Sequence, residues 1–100
     1  MKVHWTDTAE SHLDSIYVYI AQDSPEYARR VVDRITRRSQ QIGKFPSSGR
    51  RVPECNVDEI REIIEGSFRV IYRIKSDQID ILAVIHGAMD LSGRSEQEDE

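Results

Sequence analysis

The sequence predicts an α+β fold of order β-α-α-β-β-β, a helical hairpin packed on one face of a small, mostly antiparallel sheet. Three observations predict it. Between Thr6 and Lys44, apolar residues recur at steps of three and four, the period of a helix buried along one stripe. In "SFRVIYRIK" (67–75) apolar and polar residues alternate, the period of a strand. "IDILAVI" (79–85) is apolar on both faces and suits a central strand. At 100 residues the chain makes one domain with a single modest core.

"KVHW" (Lys2 to Trp5) alternates and reads as a short first strand. Thr6 or Asp7 can cap the next helix, and Asp7 with Glu10 three positions on resembles a capping box. Ala9, Leu13, Ile16 and Ile20 form its stripe, with Tyr17 beside them and Tyr19 pointing elsewhere. Ser24 is a good N-cap for a second helix, and Pro25 fits the first helical position because its missing N–H has no partner to lose there. That helix runs to about Lys44, with Val32, Ile35 and Ile42 on one face and Ala28, Val31 and Ser39 filling in. "KFPSSGRRVPE" carries Pro46, Gly49 and Pro53 and reads as a loop. "EIREIIEG" (Glu59 to Gly66) is the next strand, ended by Gly66 and Ser67. On the strand after it, Phe68, Val70, Tyr72 and Ile74 share one face and Arg69, Ile71, Arg73 and Lys75 the other. With helices on the first face, Arg69, Arg73 and Lys75 emerge on the open one, and Arg61 joins them if its strand pairs in the usual hairpin register.

Charge is segregated rather than balanced. The net charge is −4, yet Arg29 to Arg51 holds eight basic residues (Arg29, Arg30, Arg34, Arg37, Arg38, Lys44, Arg50, Arg51) against Asp33 alone. The last five residues, "EQEDE", carry four acids. Residues 1–93 are therefore expected to form the domain and 94–100 an acidic, disordered tail. A basic block of this kind suggests an acidic partner, a nucleic acid or an acidic peptide, against the plainer reading of a solvated helix face. Direct sequence-specific DNA binding is not expected, since no recognition-helix signature is present. No stretch is long and apolar enough to cross a bilayer, and "MKVHW" lacks a signal peptide's apolar block. With Cys55 as the single cysteine, no internal disulfide is available, and a cytoplasmic setting is expected. His4, His12 and Cys55 have no ligand-like spacing, so neither metal nor other cofactor is expected.

The ordered pieces "VHWTDTA", "DSPEYARRVVDRI", "FPSSGRRVPE", "REIIEGSFRVIYRI" and "ILAVIHGAMDL" span nearly the whole chain. Together they resemble the RelE/ParE superfamily, toxins of type II toxin–antitoxin modules, and look closer to the ParE branch. The resemblance implies two functions. RelE-like members cut messenger RNA on the ribosome, by attack of a ribose 2′-OH on the adjacent phosphate with basic side chains around it. ParE-like members poison DNA gyrase and are not enzymes in that role. Either kind is silenced by an antitoxin (ParD-like or similar) in a hetero-oligomer.

Carried over singly, Arg69 matches the arginine that helps neutralise phosphate in RelE-like strands. Met89 stands where those chains carry a second catalytic arginine, and a methionine neither donates to nor neutralises a phosphate. Residues 90–100 contain no tyrosine, and "ECNVDEI" offers three acids where RelE-like chains carry lysines. The expectation is a gyrase-binding toxin. The alternatives are a ribosome-dependent nuclease with the reduced set Arg61, Arg69, Arg73 and His86, or a non-toxic relative that binds antitoxin. Arg61, Arg69, Arg73 and His86 are the candidate toxicity surface in any case. For Arg69 the plain structural role is pairing with Glu62 or another cross-strand acid. His86 has the titration range of a general base, but a hydrogen bond at the strand terminus is favoured. Tyr19, Arg30, Arg34, Arg37 and Arg38 are the candidate antitoxin contacts.

Overall fold

In the structure, a computed structural model that describes residues 1–87, the chain runs β1 (Lys2–Trp5), α1 (Asp7–Ala21), α2 (Pro25–Lys44), a 3-10 turn (Pro46–Ser48), β2 (Arg50–Arg51), β3 (Ile60–Glu65), β4 (Phe68–Ile74) and β5 (Gln78–His86). The predicted order holds, with one addition: the expected loop after α2 contains the two-residue strand β2, paired with β3. The first helix starts where a side chain can hold it. Thr6 Oγ1 accepts from Ala9 N–H at 3.2 Å and donates to the Ile81 carbonyl at 2.7 Å, so it caps α1 and ties it to β5. Thr6, rather than an Asp7–Glu10 box, is the cap. Ser24 caps α2, accepting from Tyr27 N–H at 3.1 Å, with Pro25 in the first turn as expected.

The sheet order is β1-β5-β4-β3-β2, and only β1 and β5 pair in parallel. That parallel pair follows from the helical hairpin, which supplies the crossover two parallel strands require. The helix side of the sheet holds the main core. Tyr72, Val70, Ile79, Ile81 and Val84 meet Ile35, Ile42 and Val31 of α2 and Ala9 of α1 there. On α2 the buried positions are Ala28, Val31, Ile35, Ser39, Ile42 and Gly43, while Val32 is only half-buried. A smaller apolar cluster on the opposite face joins Val52, Ile71 and Ile85, flanked by Ile60, Leu82 and Ala83. Leu82 has no partner in the β4–β5 register, where Ile71 faces Ala83 and Tyr72 faces Ile81. This bulge sends Leu82 and Ala83 to the same face and gives the second cluster its apolar content.

Two details fix the far end of the sheet. β3 and β4 join through Gly66 and Ser67, and Gly66 takes φ 61°, a conformation that glycine enters without steric cost. Tyr72, fully buried, donates from its hydroxyl to the Pro46 carbonyl at 2.7 Å and accepts from Gly49 N–H at 3.0 Å. Burial pushes the phenol pKa up. A Cβ at Gly49 would lie 2.5 Å from that hydroxyl and 2.6 Å from the Glu62 carbonyl, so only glycine fits.

Candidate functional site

The hairpin register divides the candidate residues between two faces. Arg61 lies opposite Tyr72, Ile63 opposite Val70 and Glu65 opposite Phe68, all on the helix side. Glu62 and Ile64 lie opposite Ile71 and Arg69, on the open side. Arg61 therefore does not join Arg69 and Arg73. Its guanidinium instead donates to the Gly49 carbonyl at 3.0 Å and to the Asp58 carbonyl and carboxylate at 3.1 and 3.2 Å, bracing two loops. His86 pairs with Phe68 in the register and meets its ring edge-on at 6.0 Å, so it too belongs to the helix side. The four residues expected to form one toxicity surface are split across the sheet.

Arg69 sits on the open face as expected but is not exposed there. Its side chain is 6% exposed and held from two directions. Nη1 and Nη2 donate to the two oxygens of Glu54 at 2.9 and 2.8 Å, a two-pronged fork, and Nε donates to Glu62 Oε1 at 2.7 Å. Glu62 is fully buried, and its other oxygen takes Arg50 Nε at 2.6 Å. The result is an alternating row Glu54–Arg69–Glu62–Arg50. Hydrogen bonds to Glu54, opposed by burial, keep the Arg69 pKa raised above the ordinary arginine value. The pairing with Glu62 was legible from the sequence. Glu54 was not, because it lies in the turn after β2 and reaches Arg69 only through tertiary folding. Arg73 is exposed on this face, and Lys75 lies 3.2 Å from Asp80.

On the helix side a groove of about 410 Å³ opens where the helical hairpin meets the β3–β4 turn. Its wall is apolar: Ile16, Tyr19 and Ile20 from α1, Tyr27 and Val31 from α2, and Phe68 with His86 at the sheet end. Tyr19 is 75% exposed and Tyr27 46%, unusual for rings of this size. The Arg30 guanidinium lies over the Tyr27 ring at 5.6 Å and holds it in place. Tyr27, Val31 and Phe68 also line a smaller depression that runs on to Arg34 and Glu65. Beyond it lie Arg37, Arg38 and Gln41. Arg38 bonds the Ile64 carbonyl at 3.2 Å and pairs with Glu65 at 3.3 Å. Arg34 and Arg37 are exposed, and among the described residues no carboxylate lies within ion-pair distance of either. An apolar groove thus leads into a row of available cations. Of the expected antitoxin contacts, Tyr19 lines the groove and Arg34, Arg37 and Arg38 line the depressions beyond it, while Arg30 reaches it only through the Tyr27 ring. Tyr27 and Phe68 were missed, although Tyr27 two residues past Pro25 faces the same side as Val31.

A chain with this order of elements and this split of charges matches a known family over most of its length. The model for ParE toxins of type II toxin–antitoxin systems (parDE) matches residues 3–91. The chain belongs to the ParE toxin family. Y4kP of Sinorhizobium fredii (strain NBRC 101917 / NGR234), a protein named as an inferred toxin, is 36% identical over 87 residues, covering 85% of this chain and 86% of its own. A solved structure from the chromosomal ParDE system of Pseudomonas aeruginosa superposes with a TM-score of 0.72 at 27% identity, covering 86% of this chain and 95% of that one. Fold alone is shared with two more. The RelBE2 toxin–antitoxin complex of Mycobacterium tuberculosis gives TM-score 0.63 at 19% identity over 85% of this chain and 95% of that one. The YoeB/ParE toxin of Agrobacterium tumefaciens gives 0.61 at 14% over 86% and 98%. Met89 and the 93/94 boundary expected from the sequence lie outside the described residues. Among the described residues no cluster of His, Cys, Asp or Glu could hold a metal, and no helix is long and apolar enough to cross a membrane. Cys55 is exposed and unbridged.

Proposed function

We propose that this ParE-family toxin inhibits DNA gyrase by protein–protein binding and is silenced by a ParD-like antitoxin in a hetero-oligomer. The observation that carries the binding reading is the engagement of Arg69. Cleaving RNA through its own 2′-OH requires cations for the charge that develops on phosphate and a general base or acid within reach. Here Arg69 gives three N–H donors to Glu54 and Glu62, and His86 lies on the other side of the sheet. In the sequence, Met89 replaces the second cation. That combination supports binding over phosphoryl chemistry. The gyrase contact is proposed to use the open face with Arg73, and the proposed target puts the action in the cytoplasm.

For the antitoxin, the groove and its arginine row support a segment with apolar anchors followed by acids. Aromatic rings in a pocket and complementary charge beside it are the usual anatomy of such contacts. Solved neighbours from Pseudomonas aeruginosa and Mycobacterium tuberculosis come from toxin–antitoxin systems, which supports a partner of that kind. The test is tightly controlled expression without antitoxin. A gyrase poison induces the DNA-damage response and filamentation, whereas a nuclease stops translation and cuts messenger on ribosomes. Absence of any growth effect would remove both toxic readings and leave a non-toxic antitoxin-binding relative.

A further inference from the structure

The two helices turn opposite charges to solvent. α1 carries Asp7, Glu10 and Asp14 on its exposed side and no lysine or arginine. α2 carries six cations against Glu26 and Asp33, and Arg30, Arg34 and Arg37 recur at steps of four and three along its exposed crest. An acidic ridge therefore runs beside a basic one on the outer side of the helical layer. The opposite charges stand level along the hairpin, because Thr36, the residue before Arg37, shares a shallow depression with Glu10 and Asp14. Among the described residues no ion pair joins Glu10 or Asp14 to a cation, or Arg34 or Arg37 to a carboxylate. We propose that a second copy of this chain covers the outer side of the hairpin, each α1 lying on the partner's α2.

A two-fold axis between the copies and parallel to the helices makes this match. It sets α1 antiparallel to the partner's α2 at the same height, and by the same operation sets α2 on the partner's α1. The pair Glu10 and Asp14 then meets the partner's arginine ridge at both contacts, and Val18, 60% exposed in the single chain, lies in the covered strip. Like on like, α1 against α1, would set acids against acids, so charge selects the crossed arrangement. Size sets the strength. The 15 residues of α1 are about 22 Å long, and two helices side by side are about 20 Å wide. That footprint of about 440 Å² per copy is roughly half the 800 Å² of a stable interface, so the dimer forms at concentrations on the order of 100 μM. Because the contact covers Arg34 and Arg37, a second copy and an antitoxin using those arginines exclude one another. This consequence rests on the antitoxin reading; the dimer itself does not.

The test uses the purified full chain without antitoxin, so its outcome is independent of whether the antitoxin reading holds. Sedimentation velocity at low salt, from about 10 μM to about 500 μM, should show the parent passing from one copy to two. Its dissociation constant should rise about five-fold or more at about 0.5 M salt, where the screening length falls to about 4 Å. Two charge-reversed chains locate the contact. One carries Glu10→Lys and Asp14→Lys, the other Arg34→Glu and Arg37→Glu, all at exposed positions. Each alone should stay a single copy, and an equimolar mixture should pair, because only the mixed dimer sets opposite charges at both contacts. Circular dichroism checks that both fold. If either does not, the neutral sets Glu10→Gln with Asp14→Asn, and Arg34→Gln with Arg37→Gln, must each weaken the dimer several-fold. A parent that stays a single copy throughout overturns the proposal. So does a dimer indifferent to salt, a reversed or neutral variant that pairs with itself as well as the parent does, or a mixture of folded reversed chains that fails to pair.

Discussion

Replacing Arg69 with alanine removes the cation that stands between Glu54 and Glu62. Glu62 is fully buried and would keep only Arg50, whose own side chain is 64% exposed. Removing one partner of a buried, hydrogen-bonded ion pair costs about 3–5 kcal/mol, chiefly because a charge remains in a poorly solvated place. That is a large share of the roughly 5–15 kcal/mol by which a domain is stable. Arg50→Ala, at the solvent end of the same row, is expected to cost about 1 kcal/mol or less. The assay is urea unfolding at neutral pH, followed by two probes to check two-state behaviour. A triple exchange, Arg69→Met with Glu62→Leu and Glu54→Gln, replaces three of the row's four members with neutral groups of similar volume, leaves the exposed Arg50 to solvent, and should recover most of the loss. If Arg69→Ala unfolds within about 0.5 kcal/mol of the parent, below the cost of any buried pair, Arg69 is not a structural clamp. Toxicity should track the folded fraction: the triple variant, folded but without Arg69, is expected to remain toxic.

Tyr72→Phe strands the buried Gly49 N–H and Pro46 carbonyl and should cost about 1–3 kcal/mol in the same unfolding assay, with the loss confined to the 46–51 segment in hydrogen exchange. The Asp80 carboxyl is held below its usual range by Gln78, which donates at 2.6 Å, and by Lys75. A carboxyl depressed in the fold stabilises above its unfolded pKa of about 4, and the gain is lost as pH falls through the folded value. Asp80→Asn should therefore lower Tm at pH 7 and converge on the parent once the pH has fallen through the folded value. Arg34→Glu with Arg37→Glu should weaken the antitoxin complex about ten-fold or more, measured by calorimetry, while leaving Tm within about 2 °C, because both side chains are exposed.

The fold was legible because its determinants are local. Ser24 and Pro25 announce α2, the 28–31–35–39–42 spacing gives its buried stripe, and Gly66–Ser67 sets a two-residue hairpin whose register is then determined. What escaped depends on contacts between distant segments. Arg61 fell to the helix side because Glu65 pairs with Phe68, and counting back four positions from that pair puts Arg61 beside Tyr72. The burial of Arg69 could not be read from alternation, which gives a side chain's face but not what covers it. Glu54 covers it from a turn shaped by Asn56 at φ 52° and by two hydrogen bonds to the Val52 carbonyl. The exposure of Arg34 and Arg37 was legible, since the exposed face of a helix is fixed by its own period. The aromatic half of the groove was hidden because Tyr27 and Phe68 meet only when the hairpin turn and the helix start come together.

Binding of a target and cutting of RNA, the two actions open to this ParE-family toxin, leave different products. The most direct measurement incubates the purified chain with purified gyrase and supercoiled plasmid, alongside translating ribosomes programmed with a defined messenger. A binding toxin traps cleaved DNA in a toxin-dependent way, releases it when antitoxin is added, and leaves the messenger whole. Messenger cut on the ribosome, with gyrase untouched, would contradict the binding proposal.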